Sequence, residues 1–260
     1  MSEAPTASEA LDAIRAEIDA IDDAMQDLLI RRAQIVHRLS QSGSKPAGTV
    51  LRPGREAMIL RRLLARHEGP LPRTALVRLW RELFASSIAQ QASFSIALPP
   101  DATLARQAAE HFGPATPQRQ HPSQQAALAA LSAREATIAV LPWPRESDDT
   151  EEEWWANFDP SHLSVIARLP FFSEREPAME AAVIGLQPAD PSGHDATLSR
   201  IELPGEASRS ALAAASGGGR LLAIRREHGV TQALIETNGP APAGAVILGS
   251  YAIPERGANP

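Results

Sequence analysis

LDAIRAEIDAIDDAMQDLLIRRAQIV, residues 11–36, places its apolar side chains in alternating steps of three and four: Leu11, Ile14, Ile18, Ile21, Met25, Leu28, then position 32 and Ile35, with Leu39 just beyond. That period closes one stripe on an α-helix, so a helix is predicted from Ser8, which can cap it, to Ser42. One slot breaks the stripe. Arg32 stands between Leu28 and Ile35, where a guanidinium is desolvated unless an anion meets it.

Outward from that stretch, Gly43 to Gly54 is rich in Gly, Pro and Ser and should end the helix in a loop. A second helix is expected from about Arg55 to His67, stopped by Gly69-Pro70 and Pro72. A third, from about Thr74 to Ala92, sets Leu76, Trp80, Leu83, Phe84 and Ile88 on one face. The two shorter helices repeat the anomaly of the first. Glu56 shares a face with Leu60, Leu63 and His67, while Ser87 and Gln91 extend the Trp80/Phe84 stripe one turn apart. Arg15 and Arg55 flank these faces. An internal ion pair of Arg32 with Glu56 is the bland reading. Taken together, inward-facing cations, one carboxylate and two neutral hydrogen-bonding groups describe a pocket for an anionic, hydroxylated small molecule.

Here the sequence resembles the all-helical class of chorismate mutases, including the mutase domain of bifunctional mutase/prephenate dehydratases. LDAIRAEIDAIDDAMQDLLIRRAQIV is similar to that family's first helix, RPGREAMILRRLL to its second and RLWRELFASSIAQQ to its third. The resemblance implies a three-helix unit over residues 1–92 that forms an intertwined homodimer, and chorismate as substrate. It implies that Arg15 and Arg32 bind the two carboxylates, Arg15 from the partner protomer, and that Arg55 assists. Glu56 would accept from the substrate hydroxyl, Ser87 would line the carboxylate end, and Gln91 would donate to the ether oxygen. A register shifted by one would put Ser86 and Gln90 in the last two roles. The family's lysine near the end of the first helix falls on Gly43. Lys45, the sole lysine of the chain, is the candidate for that catalytic donor, with Arg38 as a substitute, and Arg52 replaces an acid that many members carry. The rearrangement to prephenate needs no nucleophile, metal or cofactor. It is served by selecting the reactive conformer through carboxylate clamps and by donors placed where charge grows on the ether oxygen.

The remaining two thirds read as α/β. SFSIALP and ATIAVLP are strand-like, separated by helical stretches over Ala102–Phe112 and Ser123–Ala133, and LSVIARLPFF resumes a strand. In order and spacing this resembles one lobe of a prephenate dehydratase domain, over residues 93–177. The family's catalytic Thr-Arg-Phe is replaced by Met179-Glu180-Ala181, so dehydratase activity is not expected. Residues 178–260 resemble an amino-acid-binding ACT domain of α+β type, which implies an amino-acid effector, although the Gly-Ala-Leu turn reads Gly205-Glu206-Ala207. Trp154-Trp155 is read as a packing pair, and Gly217-Gly218-Gly219 as a helix C-cap and turn.

Composition limits the alternatives. A formal charge of −6 and no basic patch interleaved with aromatics offer nucleic acid no footprint. Cysteine is absent, which removes thiolate chemistry and Cys-based zinc sites. His111, His121 and His162 have no metal-ligand spacing and are read as surface residues. No apolar run reaches a membrane span and the N-terminus lacks a leader pattern, so a cytoplasmic protein is expected. The expectation is therefore a mutase with a structural or regulatory C-terminal region. The alternatives are a bifunctional mutase/dehydratase and a non-catalytic partner of another aromatic-pathway enzyme.

Overall fold

The structure, a computed structural model, describes residues 6–41, 50–145, 153–177 and 179–257. The chain divides into two units, residues 1–50 and 51–260.

In the first unit, the three-four spacing gives one helix, α1 (Ala7–Gln41), of 35 residues. Its cap is Thr6, two residues before the predicted one. Thr6 and Glu9 form a reciprocal capping box: the Glu9 N–H donates to Thr6 Oγ1 at 3.3 Å, and the Glu9 carboxylate accepts the Thr6 N–H at 2.7 Å. The Thr6 N–H, and the Thr6 hydroxyl that also donates to the carboxylate at 2.9 Å, hold the Glu9 carboxyl below its ordinary value. No residue of α1 is buried. Its seam is open to solvent, from Leu11 at 48% to Leu28 at 65% exposure.

The second unit begins with α2 (Pro53–Ala65) and α3 (Arg73–Ala89). Pro53 suits the first turn of α2 because it has no N–H to leave unsatisfied. Ala57, Leu60 and Leu64 of α2 and Leu76, Val77 and Phe84 of α3 share a core with Phe171, Phe172 and Ala252 from the strand region. The expected long, short, long helices are therefore present, but the two shorter ones are built into the α/β region rather than standing beside it.

That region follows as β1 (Ile96–Leu98), α4 (Ala102–Phe112), β2 (Gln118–Gln120), α5 (Gln124–Ser132), β3 (Ile138–Pro142), β4 (Ser164–Leu169), β5 (Phe172–Ser173), β6 (Ala181–Gly185), β7 (Asp195–Pro204), α6 (Arg209–Ala215), β8 (Arg220–Glu227), β9 (Val230–Thr237), β10 (Val246–Ala252) and β11 (Glu255–Arg256). Asp101, Ser123 and Ser208 cap α4, α5 and α6 with their side-chain oxygens. Among the described residues, nine strands make one sheet in the order β2-β1-β3-β6-β4-β10-β7-β9-β8, and β11 pairs with β5 apart from it.

Two features of the sheet were not visible from local pattern. β6, which the sequence reading placed in the last segment, is inserted antiparallel between β3 and β4. The two halves of the sheet meet where β10 runs parallel to β4, with Gly249 opposite Val165. A Cβ on Gly249 would come within 2.1 Å of the Val165 carbonyl oxygen, so this approach requires glycine.

Trp154 and Trp155 are 2% and 1% exposed, and the Trp154 indole donates to the Pro142 carbonyl at 2.9 Å. They pack as expected. Gly217 and Gly218 have φ of +60° and +86° just after α6, as a C-terminal turn requires.

Candidate active site

In α1 the two cations are far apart. Seventeen positions separate Arg15 from Arg32, a rise of about 25 Å along the axis, and no small dianion spans that within one copy. Arg15 is exposed and bonds Asp12 one turn back at 3.2 Å, a pairing of little energetic weight. Arg32 is half-buried, and that burial lowers its pKa. Arg38 is exposed near the helix end. Lys45 and Gly43 lie outside the described residues.

In the second unit, Arg55 and Glu56 occupy the first turn of α2 and point differently. Arg55 is exposed. Glu56 is 8% exposed, and its Oε2 accepts from Arg81 Nη1 at 2.7 Å. Burial pushes the Glu56 carboxyl up from its ordinary value, with the Arg81 charge pulling against it. Arg81 is itself 6% exposed and lies over the rings of Phe84 and Phe171, with its guanidinium carbon 5.9 and 5.6 Å from the ring centres. Burial and the nearby Arg81 charge hold His111 well below its ordinary pKa. His111 is half-buried with its ring edge-on to Phe112, which corrects its reading as a surface residue.

The Glu56–Arg81 pair ties the start of α2 to the middle of α3, and Ser87 lies six residues further on, about 9 Å along the axis. The buried face of α3 is Leu76, Val77, Arg81, Phe84 and Ile88. Trp80, Leu83, Ser87 and Gln91 are half-buried beside it. The Ser87 hydroxyl donates to the Leu83 carbonyl and the Gln91 amide to the Ser87 carbonyl, both at 2.6 Å. α3 ends at Ala89, three residues before the predicted end, so Gln91 sits in the terminal turn with its amide folded back onto the helix. Ser86 and Gln90, the shifted-register pair, are exposed.

The second unit thus joins Glu56 of α2 to Arg81 of α3, while Arg55 is exposed and the bonds of Ser87 and Gln91 described above stay within α3. Two residues at this end were missed from sequence. Arg81 sits four positions after Val77 and three before Phe84, so the test that singled out Arg32 applies to it equally. Asp190, which binds the α2 N-terminus, lies in a Pro-rich loop with no local signal.

At the position that the dehydratase resemblance assigns to a catalytic arginine, Glu180 is 7% exposed. Its two oxygens accept from Arg168 at 3.0 and 2.5 Å, and Arg256 adds a third bond at 2.7 Å. Arg168 also bonds Glu236 at 2.8 Å and lies 4.5 Å over the ring of Trp143, and Glu236 accepts from the Tyr251 hydroxyl. Among the described residues no group of three or more His, Cys, Asp or Glu could hold a metal ion. No helix among them is long and apolar enough to cross a membrane.

Comparison with known proteins finds that residues 14–92 match the family model of chorismate mutase type II. A bifunctional chorismate mutase/prephenate dehydratase from Neisseria gonorrhoeae is 36% identical over 130 residues, covering 49% of this chain and 35% of the relative. The match therefore spans about a third of that relative's length. Among solved structures, a prephenate dehydratase from Streptococcus mutans is similar at a TM-score of 0.43 and 15% identity, over 63% of this chain and 99% of that one. A protein described as a novel type of quorum quenching acylase is similar at 0.46 and 14%, over 61% and 94%. Agreement at that level says nothing of activity.

Proposed function

We propose, from the premise that residues 14–92 are a chorismate mutase type II segment, that this chain rearranges chorismate to prephenate in aromatic amino acid biosynthesis, as a homodimer. The observation that carries this is the position of the match. It spans the three helices and takes in Arg15, Arg32, Arg55, Glu56, Ser87 and Gln91.

The chemistry follows from those residue types. Arg32, and Arg15 supplied by a second copy, clamp the two carboxylates and hold the compact reactive conformer. Glu56, with Arg55 beside it, takes the ring hydroxyl, and Ser87 lines the carboxylate end. Gln91 and Lys45 donate to the ether oxygen as the C–O bond breaks. Gln91 must exchange its bond to Ser87 for one to substrate, and Glu56 keeps Arg81 as its counter-ion. The dimer is supported by α1, which exposes a long apolar stripe with no buried residue, and by the separation of Arg15 from Arg32.

Residues 93–177, with β6 inserted between β3 and β4, serve as a dehydratase-like lobe without its activity, because Glu180, the residue before β6, is an acid committed to two arginines. Residues 178–260 act as an ACT-like regulatory region open to an amino-acid effector. The run of β7, α6, β8 and β9, with those strands antiparallel, supports that reading. The protein works in the cytoplasm.

The test is consumption of chorismate by the purified chain, followed by absorbance, with prephenate as product. Chorismate left intact would sink the mutase reading in favour of a non-catalytic partner. Phenylpyruvate formed from added prephenate would restore the bifunctional one.

A further inference from the structure

An α-helix starts with N–H groups that have no carbonyl one turn back. In α2 the fates of those at residues 53–56 are known. Pro53 has no N–H, and the Glu56 N–H reaches the Arg52 carbonyl at 3.0 Å. The two that remain belong to Gly54 and Arg55, and the N-cap residue, Arg52, makes no side-chain cap. Both donate to one distant carboxylate: Gly54 N to Asp190 Oδ1 and Arg55 N to Asp190 Oδ2, each at 3.1 Å. The Arg52 guanidinium adds a bond to Oδ2 at 3.0 Å. A negative charge at a helix N-terminus is also favoured by the helix dipole.

The docking is close as well as polar. A Cβ on Gly54 would lie 1.9 Å from the Asp190 carbonyl oxygen, so only glycine fits against this loop. Two turns along α2, Arg61 fixes the same loop a second time. Its guanidinium donates to the Ser192 hydroxyl at 2.9 Å, the His194 carbonyl at 3.0 Å, the Ile253 carbonyl at 2.8 Å and the Glu255 carboxylate at 2.6 Å. The loop from β6 to β7 therefore sets both the start and the rotation of α2.

We infer that Asp190 is a positioning residue for the mutase site: it caps α2 from the α/β region and holds the turn that presents Arg55 and Glu56 to substrate. This rests on the mutase reading above. Asp190 does not touch substrate. It acts through the backbone of residues 54 and 55.

The test compares wild type, Asp190→Ala and Asp190→Asn as full-length protein, well below their melting temperatures. Hydrogen exchange is read at the amides of residues 54–60 and of β10, and chorismate turnover is measured alongside. Asp190→Ala should speed exchange at the first turn of α2 by about tenfold, the usual weight of a lost cap, with β10 unchanged, and should raise KM several-fold. Asp190→Asn, which keeps a carbonyl acceptor, should fall between the two and serves if the alanine variant does not fold. First-turn exchange within about twofold of wild type would overturn the cap. A fall in kcat at unchanged KM, in proportion to the folded fraction, would overturn the positioning role. Wild type that leaves chorismate intact fails the mutase reading alone, and the exchange comparison then still upholds or overturns the cap.

Discussion

α1 and the α2–α3 pair belong to one matched segment, yet their energetics are opposite. Leu28 in α1 is 65% exposed, whereas Leu60 in α2 is fully buried. The first helix leaves its apolar seam exposed, and the other two bury theirs against Phe171, Phe172 and Ala252. Within the matched segment, two helices therefore take core area from the strand region, while α1 buries no residue. The polar residues divide the same way. Arg15 is solvated on α1, whereas Glu56 is buried with a counter-ion.

The strongest way to break this contrast is at that counter-ion. Arg81→Ala leaves the Glu56 carboxylate buried and unpaired, and should remove about 3–5 kcal/mol of stability in denaturant unfolding. A loss under about 1 kcal/mol would mean that α2 and α3 are not held by the pair. Next, Leu60→Ala should cost about 2–5 kcal/mol, while Leu28→Ala should stay within about 0.5 kcal/mol for the isolated chain and instead weaken self-association in sedimentation. Equal losses in the two variants would erase the distinction. For the site, Arg32→Ala should lose at least roughly 3 kcal/mol of transition-state stabilisation, read as kcat/KM. Near-normal turnover would move the pocket elsewhere.

The smallest effect is a pH dependence away from both helix sets. Burial raises the Glu153 carboxyl to about 6, with Arg225 opposing it. The folded state then binds more protons than the unfolded one between the ordinary glutamate value and about 6. Stability should therefore fall as pH rises through that window, by less than about 1 kcal/mol once solvent screening of this partly exposed group is counted. Glu153→Gln should flatten the slope in melts across that range. An unchanged slope would assign it to another group.

How much could be read beforehand depended on the range of the interaction. The three helices, the α4 and α5 stretches and the strand runs were legible because apolar period and capping residues are local. So was the break at Arg32, since a charge in an apolar heptad is visible without knowing its partner. Met179-Glu180-Ala181 showed in sequence that a dehydratase arginine is missing, but only the fold showed Glu180 held by Arg168 and Arg256. Arg81 could have been found by the same periodicity test and was passed over. Asp190 could not, because it meets α2 across 135 positions in sequence and its own loop carries no pattern.

The sequence by itself determined where helices and strands lie and which polar residues interrupt apolar faces, because both depend on side chains within a turn or two of one another. Only the tertiary structure decided that β6 lies between β3 and β4, that α2 and α3 share a core with the sheet region, and that Glu56 answers to Arg81. Those outcomes depend on which distant surfaces bury each other, and a buried charge takes whichever counter-ion the packing brings within reach.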